Sequence, residues 1–177
     1  MNLSLEKLWE EHLHCEFELK DADATMATMG ENPFVNHIPT MAGGYGYKNV
    51  YHFYKTHFIP KIPADINVSS ISRTVGKDRL VDELILYCTH DREIDFMLPG
   101  IAPTHKFIEL PHVVVVYFKD NKVIGEHIYW DQATLLVQIG LLDPKQYPVT
   151  DAEQAQKTLN EQLPNNKMMD TWLKKMR

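Results

Sequence analysis

The feature that most limits the fold of this chain is an unbroken apolar run late in the sequence. Val113 to Val116 are four consecutive valines inside the strand-like segment Phe107–Phe118. Neighbouring side chains of a strand point to opposite faces, so this run predicts a central strand that is covered on both sides. We therefore expect a sheet with helices on one face, which leaves the other face free for a second subunit.

Two hairpins supply the strands of this sheet. The first is predicted from Ile66 to Val75 and from Leu80 to His90, because strand-like runs flank the turn residues Gly76, Lys77 and Asp78. The second pairs Phe107–Phe118 with Lys122–Trp130 around a polar turn. The sequence thus predicts four consecutive, mostly antiparallel strands.

Helices are predicted before and after these strands. Helical spacing and capping residues place them after Ser4, at Ala22–Met29, around Val50–Phe58, at Asp131–Ile139 and from Asp151 to about Gln162. A short strand is expected at Pro33–Ile38, and Gly43, Gly44 and Gly46 are interpreted as a flexible turn. Helices segregated from antiparallel strands favour an α+β domain, here residues 1–143, followed by a helical C-terminal extension, residues 144–177.

Composition restricts the partners. Acidic residues outnumber basic residues 24 to 18 and the pI is about 5.8, which disfavours a surface for nucleic-acid phosphates or an anionic membrane. A small, neutral or modestly polar ligand suits this balance. Cys15 and Cys88 have no metal or redox spacing, and we see neither a membrane-length apolar run nor a signal-peptide pattern, so we expect a cytoplasmic protein.

The most informative motif is Gly-Glu-His-Ile-Tyr-Trp-Asp-Gln-Ala at 125–133. Strand alternation places His127, Tyr129 and Asp131 on one face and Glu126, Ile128 and Trp130 on the other. If the first face looks into a cavity, Asp131 is a candidate general base whose pKa burial would raise. With the opposite parity, Trp130 lines the pocket. Asp131 is equally an ordinary N-cap for the next helix, and the two roles are compatible.

Three further residues are candidates for the pocket. His37 ends the early strand beside the glycine-rich segment, and His90 lies in a polar run after the first hairpin. Each also has a purely structural interpretation: His37 as a buried histidine with satisfied hydrogen bonds, and His90 as part of a solvated turn. Arg73 is predicted to lie diagonal to Glu83 across the first hairpin and to form an ion pair there. Its functional alternative is a cation that holds an acidic substrate or orients a catalytic carboxylate.

Metal and covalent chemistry have no signature in the sequence. The neighbouring histidines at 12 and 14 and at 52 and 57 lack the i, i+4 spacing that stacks two ligands on a helix face. We therefore expect no metal, although a site assembled from distant residues stays open (His37, His90 and Asp131). No phosphate-binding loop, serine nucleophile elbow or cysteine nucleophile motif occurs, so covalent catalysis is disfavoured.

The element order and the 125–131 motif resemble the SnoaL-like polyketide cyclase group of the nuclear transport factor 2-like superfamily. The resemblance covers residues 5–143. Further segments similar to relatives in that group are Asn36–Pro39, Phe53–Tyr54, Ser72–Thr74, Thr89–Asp91 and Leu98–Thr104. The resemblance implies a cone-shaped α+β barrel, with three helices on a strongly bent sheet, a deep pocket and a homodimer formed through the outer sheet face.

The resemblance also implies cofactor-free proton-transfer chemistry. Asp131 matches the pocket aspartate of the family cyclases, with His127 and His112 as helpers. Our first hypothesis is a cyclase, isomerase or dehydratase acting on a small apolar carbonyl compound, with Asp131 and His127 catalytic. The alternative is a non-catalytic ligand-binding or assembly module of the same fold. The residues expected to line the pocket are His37, Tyr54, Arg73, His90, His112, Tyr129 and Trp130.

Overall fold

The fold is organised around one mixed sheet of six strands in the order β2-β1-β6-β5-β4-β3. The computed structural model describes residues 4–175. The strands are β1 (Met29–His37), β2 (Ala42–Tyr45), β3 (Asn67–Val75), β4 (Arg79–Thr89), β5 (Phe107–Lys119) and β6 (Lys122–Tyr129). Both predicted hairpins are present, since β3 pairs with β4 and β5 with β6 in antiparallel register, whereas β1 and β6 run parallel.

The helices begin where the sequence supplies caps. Ser4 accepts a hydrogen bond from the backbone of Lys7, and the Asp21 carboxylate accepts from Asp23 and Ala24, so both side chains satisfy free N–H groups at a helix start. None of the helices within residues 4–175 is long and apolar enough to span a membrane. The helices are α1 (Leu5–Leu13), α2 (Ala22–Thr28), α3 (Tyr47–Phe53), α4 (Gln132–Gln138), α5 (Glu153–Leu159) and α6 (Lys167–Lys175).

The inner face of the sheet carries the main core. Helix α1 contacts β4 and β6, and α2 and α3 contact β1, so the first three helices pack on one face of the sheet. Along β5 every second side chain is buried beneath them, including Leu110 and Val116. The α+β architecture is that of the predicted cone, a layer of helices on a curved sheet.

The outer face of the sheet is only partly covered within the described chain. Val113 is 37% exposed, so the valine run is not enclosed on both sides along its whole length. Next to it, Ile85 is fully buried, and helices α4 and α5 both contact β5. Ala155 of α5 is also buried. The segment after residue 143 therefore packs on the sheet through α5, and its division from the domain before it stays a prediction.

The glycine-rich segment is a strand and not a flexible turn. Gly43 lies opposite Asn36 in the antiparallel pairing of β1 with β2. It has a φ of 141°, and a Cβ on this residue would lie 1.9 Å from the carbonyl oxygen of Val35. Only glycine allows the two backbones to approach so closely, which is why an edge strand replaces the predicted turn.

We expect Gly43→Ala to destabilise the fold by about 2 kcal/mol or more, because the added methyl group must push β2 away from β1. Gly100→Ala is the matched control, since Gly100 has a φ of 74° but nothing within 4 Å of the position of a Cβ. Chemical denaturation of both variants measures the difference. Equal losses of unfolding free energy would show that the close approach of the backbones is unimportant.

Candidate functional site

A cavity of about 580 Å³ lies between α1, the segment that follows it, and the inner face of the sheet. This volume is within the range of small-molecule sites. The buried lining combines apolar and aromatic side chains with several that carry polar groups. The buried polar and ionisable lining residues are Trp9, Glu16, His37, Tyr54, Asp82, His112 and Glu126.

At one end of the cavity two carboxylates share an imidazole. Nε2 of His12 lies 3.1 Å from Oε1 of Glu16 and 3.1 Å from Oε1 of Glu126. The Tyr54 hydroxyl donates to the same Glu126 oxygen at 3.0 Å. Glu16, Tyr54 and Glu126 line the cavity, whereas His12 is fully buried behind them. We call these four residues the acid–base cluster.

Two members of the cluster, Glu16 and Tyr54, lie in π-helical turns. After α1 the chain continues as a π-helix at His14–Leu19, which carries Glu16, and after α3 a second π-helix begins at Tyr54. The wider turn of a π-helix is found frequently at functional sites. Glu126 comes from β6, where it points to the cavity side together with Ile128.

The other ring nitrogen of His12 fixes its protonation pattern. Nδ1 lies 2.5 Å from the hydroxyl oxygen of Thr28, and that hydroxyl donates its own proton to the carbonyl of Thr25. Thr28 can therefore only accept from His12, so Nδ1 carries a proton. Nε2 is left to exchange a proton with the two carboxylates.

The pKa values of the cluster follow from burial and mutual charge. Burial disfavours the charged imidazole, but the charge of Glu16 and hydrogen bonds to both carboxylates raise the pKa of His12 to about 10. Burial raises the pKa of Glu16 above its ordinary value in spite of His12, and the charge of Glu126 acts in the same direction. Burial and the two carboxylates raise the pKa of Tyr54 well above its ordinary value, so the phenol keeps its proton.

The same atoms are a candidate metal-binding set. One ligand atom from each of His12, Glu16 and Glu126 lies within 4.8 Å of the others, and nitrogen with carboxylate oxygens is a donor set that suits zinc and related ions. The spacing of the histidines alone does not reveal this set, because its i, i+4 pair joins His12 to Glu16. In the structure these three groups bond to one another.

A second polar group lies on the wall formed by β3 and β4. Arg73 forms a two-pronged ion pair with Asp82, at 2.6 and 2.8 Å, and the Trp9 indole donates to the same carboxylate at 2.7 Å. The prediction that Arg73 pairs with Glu83 is wrong, because its partner is Asp82. A register shift between Ser70 and Ser72 places Arg73 opposite Asp82. Arg73 lies in the cavity lining, and Asp82 balances its charge.

Two of the candidate histidines, His37 and His112, lie in the cavity lining. His37 and His112 are both buried and both contact Trp130: the His37 ring lies edge-on to the indole, with centroids 5.8 Å apart, and the His112 ring stacks on it at 5.4 Å. Burial lowers the pKa of each ring to about 4, so both are neutral near pH 7. Trp130 is not itself part of the lining and supports these two rings from behind.

The cavity-facing side of β6 is opposite to the one expected for catalysis. His127 and Tyr129 lie on the outer face, where His127 contacts Phe34, Tyr117 and Tyr129. Neither residue is among those that line the cavity. The prediction that this face looks into the pocket is wrong. The cavity-facing residue is Glu126, and not the neighbouring His127.

Asp131 does not face the cavity either. Its Oδ1 accepts from the backbone of Ala133 and Thr134, and its Oδ2 accepts from the Thr134 hydroxyl and from Gln154. Although burial acts in the opposite direction, these hydrogen bonds lower the pKa of Asp131 below its ordinary value. A raised pKa was the basis for choosing Asp131 as a base, so the capping interpretation is the one that fits.

His90 also lies outside the cavity lining. Its Nδ1 accepts from the backbone N–H of Thr104 at 3.3 Å and lies 3.0 Å from the Thr104 hydroxyl. The ring is buried, and its Nε2 has no partner among the described residues. This histidine fastens the loop after β4, and it does not join His37 or His112.

Sequence reasoning missed His12, Glu16, Thr28, Asp82 and Glu126. One local signal was available, because His12 and Glu16 are four residues apart, on the side of α1 and its continuation that also buries Leu8. The contact between this pair and Glu126 depends on how α1 packs on β6, which no local pattern encodes.

Comparison with known proteins identifies the fold. No family model matches the sequence, and no curated protein is significantly similar to it. Solved structures do match. A candidate SnoaL-like polyketide cyclase from Jannaschia has a TM-score of 0.61 at 18% identity, covering 81% of this chain and 99% of that one. An NTF2-like protein of unknown function from Burkholderia pseudomallei has a TM-score of 0.57 at 17% identity, covering 76% and 96%.

A third match links the fold to a bound small molecule. A protein from Catenulispora acidiphila with a ketosteroid isomerase-like fold, solved in complex with trimethylamine, has a TM-score of 0.59 at 11% identity and covers 79% of this chain and 96% of that one. The chain therefore has the NTF2-like fold predicted from the resemblance. At these identities the comparison establishes the fold and leaves the activity open.

We expect Asp131→Ala to lower the unfolding free energy by about 1 kcal/mol, as loss of an N-cap does. Ligand binding in the cavity should be unchanged, since within residues 4–175 the Asp131 carboxylate accepts hydrogen bonds only from α4 and Gln154. Thermal denaturation and a binding titration of the same variant test both statements. Reduced affinity in a fully folded variant would restore Asp131 to the site.

The raised pKa of His12 predicts an unusual titration in chelator-treated protein. We expect ¹⁵N NMR to find His12 protonated from pH 6 to 9, with His37 and His112 neutral over that range. Because the folded pKa of His12 exceeds the unfolded value of 6.5, its contribution to stability is complete below pH 6.5 and is lost as the pH rises to about 10. A His12 midpoint near 6.5 would contradict this assignment.

Proposed function

We propose that this protein is a SnoaL-like enzyme that transfers a proton within a small carbonyl compound bound in the cavity. The observation that carries the proposal is the position of Glu126, which faces the cavity while its Oε1 is held by Tyr54 and by His12. Its Oε2 has no hydrogen-bond partner among the described residues. A carboxylate that is fixed by one oxygen and free at the other suits a general base.

The reaction we propose begins at a carbon next to the carbonyl group. Oε2 of Glu126 removes a proton from this carbon, and the electron pair of the C–H bond moves to the carbonyl oxygen to give an enolate. Glu16 is the matching acid, because its raised pKa favours the protonated form that donates to the developing oxygen. Return of the abstracted proton from Glu126 to another carbon completes an isomerisation. Alternatively, transfer of that proton to a hydroxyl group, which leaves as water while the enolate re-forms the carbonyl group, completes a dehydration.

His12 and Tyr54 act through the carboxylates. The His12 imidazolium balances the charge of the buried Glu126 carboxylate, and the Tyr54 hydroxyl, which keeps its proton, donates a hydrogen bond to the same carboxylate. Apolar walls exclude water, which strengthens these interactions. The residues assigned to catalysis are thus Glu126 and Glu16, in place of Asp131 and His127.

The comparisons favour this class of enzyme. Similar folds include the candidate polyketide cyclase named above and an epoxide hydrolase/cyclase-like enzyme of salinomycin pyran-ring formation, with a TM-score of 0.52 at 12% identity. Their activities belong to those proteins. What supports a related activity here is that this cavity contains a carboxylate pair whose environments differ.

We expect the wild-type protein to catalyse exchange of acidic C–H protons for deuterium in D₂O in at least one member of a panel of cyclic ketones, aromatic ketones and lactones, followed by ¹H NMR. Glu126→Gln should slow this exchange by about 10²-fold or more, the usual contribution of a positioned base. The substitution preserves size and hydrogen bonding while it removes the charge.

The matched control is Glu109→Gln, which makes the same change on β5 outside the cavity lining. It should exchange as the wild type does. Equal rates in the Glu126 and Glu109 variants would exclude Glu126 as the base. If wild-type protein binds panel members but exchanges none of them, the protein is a binding module of this fold.

We also propose that a second copy of the chain covers the outer sheet face. Phe107, Val113 and Tyr129 are 56%, 37% and 42% exposed there, an unusual density of apolar side chains on neighbouring strands. Light scattering should report a dimer, and Val113→Lys should yield a folded monomer. Val75→Lys is the control, since Val75 is 45% exposed at the end of β3. A dimer that survives Val113→Lys would place the interface elsewhere.

A further inference from the structure

The wall of the cavity contributed by β1 and β5 carries two buried histidines. Its two buried polar side chains are His37, at the end of β1, and His112, in the middle of β5. Both line the cavity, and neither belongs to the acid–base cluster. The catalytic proposal gives them no role.

The backbone fixes which ring nitrogen of each histidine carries the proton. Nδ1 of His37 lies 3.2 Å from the carbonyl oxygen of Ala42, and Nδ1 of His112 lies 2.9 Å from that of Leu110. A carbonyl oxygen can only accept, so each Nδ1 is the donor. In a neutral ring Nε2 then carries no proton and presents a lone pair. Neither Nε2 has a hydrogen-bond partner among the described residues.

Aromatic neighbours hold both rings in place. His37 packs against Phe53, Phe58, Phe96 and Trp130 with centroid distances between 5.3 and 5.9 Å. His112 stacks on Trp130 with ring centroids 5.4 Å apart and an interplanar angle of 30°. With the rings packed and their Nδ1 atoms bonded, the two acceptors are preorganised, and a ligand gains hydrogen bonds there without ordering either side chain.

From this arrangement we infer that His37 and His112 are specificity-determining residues, which select ligands carrying hydroxyl or N–H donors on an apolar body. A carbonyl, an ether or a carboxylate at this wall meets a second acceptor and leaves both groups unpaired. The inference rests on the proposed function only in that the substrate occupies this cavity. It changes the expected substrate from a purely apolar carbonyl compound to one that also bears hydroxyl or N–H groups.

The test uses probes that differ only in their donors. Isothermal titration calorimetry compares 1,3-dihydroxynaphthalene and 2,7-dihydroxynaphthalene with their dimethyl ethers, which keep the ring and the oxygen atoms but have no O–H group. We expect at least one diol to bind about tenfold or more tightly than its ether, because a site built around a hydroxyl penalises an analogue that lacks it. Equal affinities, or no binding of either diol at millimolar concentration, would overturn the inference.

Variants locate the preference. His37→Phe and His112→Phe keep an aromatic ring beside Trp130 and remove the acceptor, so each should reduce the preference for the diol over the ether. His127→Phe is the matched control, because His127 packs among aromatic rings on the outer face. It should keep the full preference. A preference that persists in both cavity variants would also overturn the inference, and circular dichroism verifies that each variant is folded.

Binding and proton exchange are measured separately, so the two proposals fail in different ways. Deuterium exchange is followed in ketones and lactones, whereas the diol preference is a difference in affinity, so the wild-type protein can pass one test and fail the other. Glu126→Gln should retain the preference for the diol over the ether, since Glu126 belongs to the acid–base cluster and not to the histidine pair. Loss of that preference in Glu126→Gln would show that the cluster, and not the histidine pair, reads the hydroxyl.

Discussion

The contact between His12 and Glu126 connects residues 114 positions apart and fixes the helical layer to the sheet. Both side chains are buried, together with Glu16. Removing one partner of a buried ion pair typically costs about 3–5 kcal/mol, whereas replacing the whole group with apolar residues is often neutral or stabilising. A cluster of two carboxylates and one imidazole is therefore a poor way to obtain stability. Its position at the end of an apolar cavity argues that it is retained for chemistry.

His12, Glu16 and Glu126 differ in how they can hold or exchange a proton, because each has different neighbours. Thr28 commits Nδ1 of His12, so the only proton that this ring can exchange is the one on Nε2. Glu126 is held by two contacts to one oxygen, and burial raises the pKa of Glu16. Burial thus favours the protonated form of Glu16, whereas Glu126 is fixed through one oxygen and faces the cavity, so the two carboxyl groups suit the different roles of acid and base.

Most of the fold was predictable because its signals are local. The two hairpins follow from alternation and turn residues, and Ser4 caps the first helix as expected. The site was much less predictable. Segment 125–131 has polar side chains on both faces, so alternation separates the two sets but cannot say which one faces the cavity. The choice is made by long-range packing, since Phe34 and Tyr117 pack around His127 on the outer side and α1 brings His12 to Glu126.

Asp131 illustrates why a motif alone misleads. A carboxylate that follows the last strand and begins a helix satisfies both a catalytic and a capping interpretation, and only the next contact distinguishes them. Here that contact comes from Gln154, which donates to Asp131 at 2.7 Å, while Thr150 lies 3.0 Å from the Thr134 hydroxyl of the same cap. Since Gln154 and Thr150 belong to the segment after residue 143, Asp131 joins that segment to the end of β6. The carboxylate is therefore committed to four hydrogen bonds, and a base needs a free oxygen.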